Sequence, residues 1–301
     1  EEINQISSSV EQWLGTRDND RNEMKYIFVA WHIVHASNGQ GNYGDDVAYD
    51  AVAWLNETFA PHNVVFEVDT ITRTENDEWF SDWYDQVFQG SQALSIDAFH
   101  NMNVYTADLY AAGVAGFAFF ANSFPAGDYR FSVNVDYRDL AYGNDVLTHE
   151  VGHHLNLRHT FSGSCGVDGD GIGDTPRHLD SELWTCNDNL DSCPNDDGND
   201  PIHNYMTYTS SSCQYEFTSG QEDNVHYAIE TYHYGYLENN FGAPNLYVDA
   251  LSFEEDTDED GILNPGEQMK LYVDIGNAYD YDADSITMVI SSENDFLFFI
   301  D

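Results

Sequence analysis

Residues 149–159 read His-Glu-Val-Gly-His-His-Leu-Asn-Leu-Arg-His, and no other stretch constrains the fold as tightly. His149 and His153 stand four positions apart, so a helix brings both imidazoles to one face, about one turn apart. Two imidazoles so placed can chelate one metal ion. Glu150 sits beside the first His, placed to hold a metal-bound water rather than the metal. His159 lies too far along to share that face, so the chain must turn between His153 and His159. Asn156 stands where the turn is needed, and Asn tolerates left-handed backbone angles better than most residues. Three neutral imidazoles with one position left for water are the usual composition of a catalytic zinc site. The bland reading, ordinary histidines of a helix and its flank, leaves the third His and its turn residue to coincidence. His154 points away from the pair, as a surface or packing residue.

Charge narrows the partners. Lys and Arg total 9 against 54 Asp and Glu, a net charge of -45. Such a chain is repelled by nucleic acid and by anionic membranes. It also repels itself, and high salt or bound cations such as calcium relieve that strain. A saline habitat fits this composition. No apolar run reaches the length of a transmembrane helix. The sequence shows no signal peptide and begins with Glu, which reads as a mature or trimmed form. The four cysteines, Cys165, Cys186, Cys193 and Cys213, form no C-x-x-C pair, so a structural zinc site is not expected. Four Cys allow three pairings, and sequence alone does not choose. Joining neighbours, Cys165–Cys186 and Cys193–Cys213, would staple two loops at on the order of 3 kcal/mol each. That is the expected pairing, and it suits an oxidising, extracellular setting.

Taken in order, 1–24 is an N-terminal segment with a weak helical pattern, read as left over from an upstream region. Tyr26 to Val34 reads as a buried strand. Val47, Ala51, Trp54, Leu55 and Phe59 recur at helical spacing after a cap at Asp45 or Asp46, and Pro61 ends that helix. Val64 to Ile71 is a second strand, and 74–100 reads as short helices and loops. Asn103 to Leu109, Val114 to Ala121 and Phe131 to Val135 are three further strands. The active-site helix starts at Asn144 or Asp145 and runs to about Asn156. From Ser162 to Ser212 regular pattern is weak. Within it, Asp168, Asp170, Asp174 and Thr175 offer hard oxygen ligands in a Gly-rich turn that suits calcium. Thr218 and Gln221 form a capping box for a helix to about Leu237. After a linker, Asp256, Asp258, Asp260, Ile262, Asn264 and Glu267 match a D-x-D-x-D-G-x5-E calcium loop. Alternating Met269, Leu271, Val273 and Ile275 follow it, so the loop leads into a strand. Residues 246–301 therefore read as a calcium-binding β-sandwich-like module, short for a complete sandwich and read as truncated.

The motif resembles the metzincin signature H-E-x-x-H-x-x-G-x-x-H, with Asn156 in place of Gly. The wider match is Leu147-Thr148, His159-Thr160-Phe161, Gly169 to Pro176, Asp200 to Tyr208 and Phe217 to Gln221. Together these are similar to the pappalysin (cytophagalysin-type) metalloproteases over roughly residues 25–240. The resemblance implies an α+β metzincin-like catalytic domain: a twisted mixed sheet, an active-site helix and a loop-rich lower half. It implies that Met206 lies under the metal as the Met-turn and that Tyr208 donates its phenol to an oxyanion. It implies that an edge strand near Ala115–Ala121 pairs with extended substrate.

The expectation is a secreted zinc endopeptidase acting on proteins or peptides as a monomer, with structural calcium. Zinc on His149, His153 and His159 activates water, and Glu150 is the general base. A gluzincin, with two His and a distal Glu, is disfavoured by His159. The alternative from another class is a catalytically silent protease-fold adhesin or calcium-dependent binding module. Some relatives favour a basic residue just after the scissile bond. The segment Thr207–Ser212 carries no carboxylate, so only a weak taste for Lys or Arg is expected there.

Overall fold

The computed structural model describes residues 2–16, 24–166, 169–179 and 186–238, with the strands 246–255 and 269–277. The chain divides into two compact units, Glu1–Asn239 and Asn240–Asp301.

The first unit is organised around β1 (Lys25–His35), an almost continuous apolar run buried on both faces. Such a run suits the interior of a parallel sheet. Its neighbours are β2 (Val64–Glu75) and β3 (Asn101–Ala107), both parallel to it. Beyond β3 come β5 (Val133–Asp136), parallel, and β4 (Gly116–Ala118), antiparallel at the edge. The order is β2-β1-β3-β5-β4.

Alternation along the strands sends side chains to two cores. Ile27, Val29, Trp31 and Ile33 pack with Met102, Val104, Val133 and Val135 on one face. Helix α2 (Asp45–Phe59) covers that face with Ala48, Ala51, Val52, Leu55 and Phe59, and Asp45 and Asp46 in its first turn suit the helix dipole. The other face takes Val34, Tyr105 and Ala107 against α3 (Asp77–Leu94), through Phe80, Trp83 and Val87. Segment 74–100 is thus mostly one helix rather than several short ones, kinked at Asp82 and capped by Asn76, which accepts from Trp79 N–H.

Helix α4 (Val146–His154) buries Leu147 and Val151 in the first core, and its C-cap Leu155 joins them. The described residues between 155 and 217 are turns and bends apart from an isolated bridge between Asn204 and Glu216. Helix α5 (Ser219–Tyr232) closes the unit, opened by the Thr218–Gln221 capping box. It stops five residues before Leu237, and a 3-10 turn over Tyr234–Glu238 carries the chain on.

The N-terminal segment is not a detached leftover. Helix α1 (Glu2–Thr16) reaches α5, where Trp13 Nε1 donates to Glu230 at 3.0 Å and its ring meets Tyr227 edge-on. Among the described residues no helix is long and apolar enough to cross a membrane. In the second unit, β6 (Leu246–Glu255) and β7 (Met269–Asn277) pair antiparallel. The expected calcium-loop residues Asp256, Asp258, Asp260, Ile262, Asn264 and Glu267 lie outside the described residues.

Candidate metal centre

Helix α4 presents His149 and His153 on one face, and a Schellman turn brings the chain back to add His159. Leu157 N–H donates to Gly152 O at 2.8 Å and Asn156 N–H donates to His153 O at 2.9 Å. These are the two bonds that define the motif, and Asn156 takes the left-handed position with φ 73°. The Asn in place of Gly therefore still makes the turn. The helix ends at His154, two residues sooner than the sequence suggested, because the turn begins at Leu155.

The same turn orients a ligand. Leu157 O accepts from His153 Nδ1 at 2.7 Å, and Tyr205 O accepts from His149 Nδ1 at 2.8 Å. Each carbonyl can only accept, so each Nδ1 carries the proton and each Nε2 offers a lone pair. His159 Nε2 stands 3.0 Å from both other Nε2 atoms. One ring N–H cannot satisfy two facing lone pairs at once. A cation at their centre does, and all three ligand atoms lie within 4.8 Å of one another. Burial keeps the rings neutral, as metal ligation requires. His153 is lowered to about 4 and His159 to about 3, and His149 is held well below its ordinary value by burial and by its two His neighbours.

Glu150 follows His149 but faces the cleft. It is 7% exposed, its Oε2 has no protein partner, and burial pushes it up to about 8. A Cβ at Gly116 would stand 2.7 Å from Glu150 Cγ and 2.9 Å from Oε1. Only glycine at the start of β4 leaves that carboxyl its place.

The floor comes from the loop-rich half. Met206 is fully buried, and a Cβ on Gly152 would overlap its sulfur. Met206 N–H donates to Asn204 Oδ1, and Met206 O accepts from Thr160 N–H, next to His159. Asn204 and Gln221 exchange both amide hydrogen bonds, at 2.7 and 2.9 Å, so the cap of α5 also anchors this turn. Tyr208 lies over the cradle, its ring 4.7 Å from His159 and 4.9 Å from Phe161. It is 42% exposed, and burial followed by Glu150 raises its phenol, so it stays a proton donor.

The comparisons agree with this geometry. The model of peptidase family M43, described as pregnancy-associated plasma protein-A, matches residues 88–230. An extracellular metalloprotease of Verticillium alfalfae is 36% identical over 219 residues, which are 68% of this chain and 76% of that relative. The chain belongs to the pappalysin family, M43. Extracellular metalloprotease 1 of Coccidioides posadasii is 35% identical over 204 residues, 64% of this chain and 72% of its own. Mature mirolysin of Tannerella forsythia, solved in complex with a cleaved peptide, superposes with a TM-score of 0.62 at 24% identity. That match covers 72% of this chain and 96% of mirolysin, and it shows the metzincin fold. This pappalysin-family protein is an extracellular metalloprotease.

Other expected sites of this metalloprotease fare unevenly. The cysteines join as Cys165–Cys193 and Cys186–Cys213, with Cα atoms 5.5 and 5.8 Å apart. This corrects the expected Cys165–Cys186 and Cys193–Cys213. The two loops interleave, and Leu179 N–H donates to Ser192 Oγ at 2.8 Å beside Cys193.

In the acidic turn, Asp168 lies outside the described residues. Asp170 is buried and accepts from Ile172 N–H and Thr175 Oγ1 through Oδ1, while its Oδ2 has no partner and burial raises it to about 7. Asp174 instead serves α5: its two oxygens accept from Thr218 Oγ1 at 2.7 Å and Gly220 N–H at 2.8 Å. His154 is a packing residue, buried and bonded through Nε2 to Tyr236.

The sequence pointed to part of the cleft wall, the strand near Ala115 and Tyr208, but not to Asp145 or Gln214. A cavity of about 440 Å³ opens beside Glu150, lined by Ala115, Gly116, Asp145, Val146, Tyr208 and Gln214 among others. Asp145 was read only as a helix start. It is 2% exposed, accepts from Trp54 Nε1 at 2.9 Å, and is raised by burial to about 6.

Proposed function

We propose that this metalloprotease is an endopeptidase in which His149, His153 and His159 hold one zinc ion, Glu150 is the general base and Tyr208 the oxyanion donor. The observation that carries the reading is the convergence of three Nε2 atoms beside a buried carboxyl oxygen that no protein group satisfies. When bound, zinc supplies Lewis acidity and brings the pKa of a water to about 7. Glu150 takes a proton from the attacking water and passes it to the leaving amine. Burial alone favours the protonated acid, whereas a divalent charge in the imidazole cradle favours the carboxylate, so the base is ready only in the loaded enzyme. Tyr208 keeps its proton and donates it as a hydrogen bond to the oxygen that gains charge. The open edge of β4 offers backbone groups to an extended chain, which favours unfolded or loop substrates.

The test is metal content together with hydrolysis. The purified protein should carry one zinc per chain and cut casein at internal bonds, and His153→Ala should lose both. Full casein cleavage by a zinc-free protein would sink the reading.

Calcium is the second proposed ion. Asp170 Oδ2, buried and partnerless, is the group of the acidic turn that calls for a cation, and the expected loop Asp256–Glu267 would serve the second unit. In this proposal residues 246–301 form a calcium-binding β-sandwich-like module, of which the β6–β7 hairpin is a part. The chain acts as a monomer on protein or peptide substrates, without nucleic acid or membrane. EGTA should lower the melting temperature, and an unchanged value after calcium removal would eliminate both sites as stabilising elements.

A further inference from the structure

We propose that the upper wall of the cleft is an aromatic roof that selects apolar side chains at two substrate positions, two residues apart. Phe117 and Tyr84 cover one position, and Phe119 and Phe88 cover the other. The inference rests on the peptidase reading given above and deepens it.

Strand β4 is the outermost strand of its sheet. Its phase is set by one hydrogen bond, from Asp136 N–H to Ala115 O at 2.8 Å. Bonded pairs alternate with unbonded ones along an antiparallel ladder. Ala115 and Phe117 therefore turn their peptide groups to β5, and Gly116 and Ala118 turn theirs to the open edge. A substrate strand bonds to Gly116 and Ala118. Directly opposed residues share a face of the sheet. Substrate residues opposite Gly116 and Ala118 thus point down, as those two do, toward Glu150 and the first core. A substrate residue opposite Phe117 or Phe119 points the other way, onto the face where both rings pack against the second core.

Helix α3 builds that face. Phe80, Trp83 and Val87 are buried and hold the helix down. Tyr84 and Phe88 stand one turn apart on the flank that meets β4, and they are 46% and 42% exposed. Tyr84 meets Phe117 edge-on with ring centres 5.0 Å apart, and Phe88 lies 5.2 Å from Phe119. The rings of Phe117 and Phe119 are 6.1 Å apart, so the roof repeats at the spacing of alternate strand residues. A side chain set opposite an aromatic strand residue comes within about 5 Å of it, close enough to cover its exposed ring. Antiparallel pairing is the more stable choice for a peptide on an open edge. A substrate so paired runs from Phe119 toward Phe117. The Phe119–Phe88 position therefore comes first in the substrate, and the Phe117–Tyr84 position two residues later.

Digestion of a peptide library at moderate salt by the zinc-loaded enzyme, read by mass spectrometry, tests this. Phe, Tyr, Leu and Met should be enriched over Ser and Asn at two positions, each at a fixed distance from the cut and separated by one residue. The enrichment should be about fivefold at each, the scale of one cross-strand aromatic pair. Tyr84→Ser should erase only the later of the two preferences, and Phe88→Ser only the earlier. Both variants should keep kcat/KM for peptides with Ser at both positions within about twofold of the wild-type value, which a merely structural role would not do selectively. Tyr84→Arg should replace the later apolar taste by one for Asp and Glu. Melting curves show whether each variant is folded, and the wild-type profile with the Arg variant decides should a Ser variant unfold. Absence of the paired enrichment, its survival in both Ser variants, or an exchange of the two positions between them overturns the inference and leaves the peptidase reading intact. No cleavage of any library member by zinc-loaded protein overturns both.

Discussion

The catalytic unit before His159 and the unit after it hold their shapes by different means. Before His159, β1 and its neighbours bury apolar faces against α2, α3 and α4, and two clusters carry most of the core. Between His159 and the start of α5, the described residues are turns fixed by side chains: Asn204 on Gln221, Thr160 on His178, Asp174 on the start of α5, and two disulfides. Burial is non-directional and tolerates many sequences of the right pattern. Polar anchoring is specific, and each lost bond strands a partner. The metal centre straddles the boundary, with His149, Glu150 and His153 on the packed side and His159, Met206 and Tyr208 on the anchored side. In the proposed site two imidazoles come from a rigid helix and the third from a segment that must be tied down.

The sharpest separation of chemistry from structure comes from Glu150→Ala. It should lower kcat/KM by at least about 10⁴-fold, the upper range for a general acid–base group. One zinc per chain should remain, because both sides of the cradle stay in place. Metal analysis beside casein kinetics checks it, and loss of zinc would mean that Glu150 is a ligand.

The disulfides break the comparison next. Removing Cys165–Cys193 by a double Cys→Ser change opens a loop of 28 residues in separation. The chain-entropy model puts the loss at about 3.5 kcal/mol. Hydrogen exchange should rise across 160–215 well before it rises in β1 or β3. Equal loosening of both halves would show that they unfold as one unit. Non-reducing peptide mapping should recover Cys165–Cys193 and Cys186–Cys213.

The same division explains what could be read in advance. Strand β1, helix α2 and the convergence of His149, His153 and His159 were legible because their signals are local: apolar runs, helical spacing, and a turn residue at Asn156. Helix α3 was read as short helices and loops although Trp79, Phe80, Trp83, Tyr84, Val87 and Phe88 carry helical spacing throughout, because acidic and Gly residues and the break at Asp82 blur it. The disulfide pairing was not legible. It depends on how two patternless loops cross, and no period encodes a crossing. Asp174 looked like a cation ligand for a related reason. An Asp in a Gly-rich turn suits calcium and suits a helix N-terminus 46 residues away equally well, and only the fold chooses. Asp145 hid behind its commonest role, since an Asp before a helix normally caps it.

Gly152→Ala probes the seam itself. The added methyl group would overlap Met206 Sδ, so helix and floor must part. Overpacking of this kind costs roughly 1–3 kcal/mol. Chemical denaturation should show the loss, and pairing the change with Met206→Ala should recover part of it. Two losses that simply add would mean that the methyl group is accommodated elsewhere and the seam is not tight.

The smallest effect separates burial from anchoring within a single residue. Asp170 sits in the anchored half, yet burial raises its carboxyl from 3.8 to about 7. A carboxyl raised in the folded state contributes its full stability below about pH 4, and that stability is lost as pH rises through about 7. In EGTA, then, the protein should weaken from pH 4 to pH 7 through this group. Asp170→Asn keeps a similar shape without the charge. At pH 7.5 in EGTA it should stabilise the fold by on the order of 1 kcal/mol, once water entry and local relaxation have reduced the full linkage. Saturating calcium should reverse the order of the two proteins, because a bound cation favours the carboxylate that burial disfavours. Melting curves of both proteins at pH 4.5 and 7.5, with calcium and with EGTA, give the four values needed. If the order at pH 7.5 is the same in calcium and in EGTA, no cation meets Asp170, and its buried oxygen is a cost the anchored half carries for reasons of shape alone.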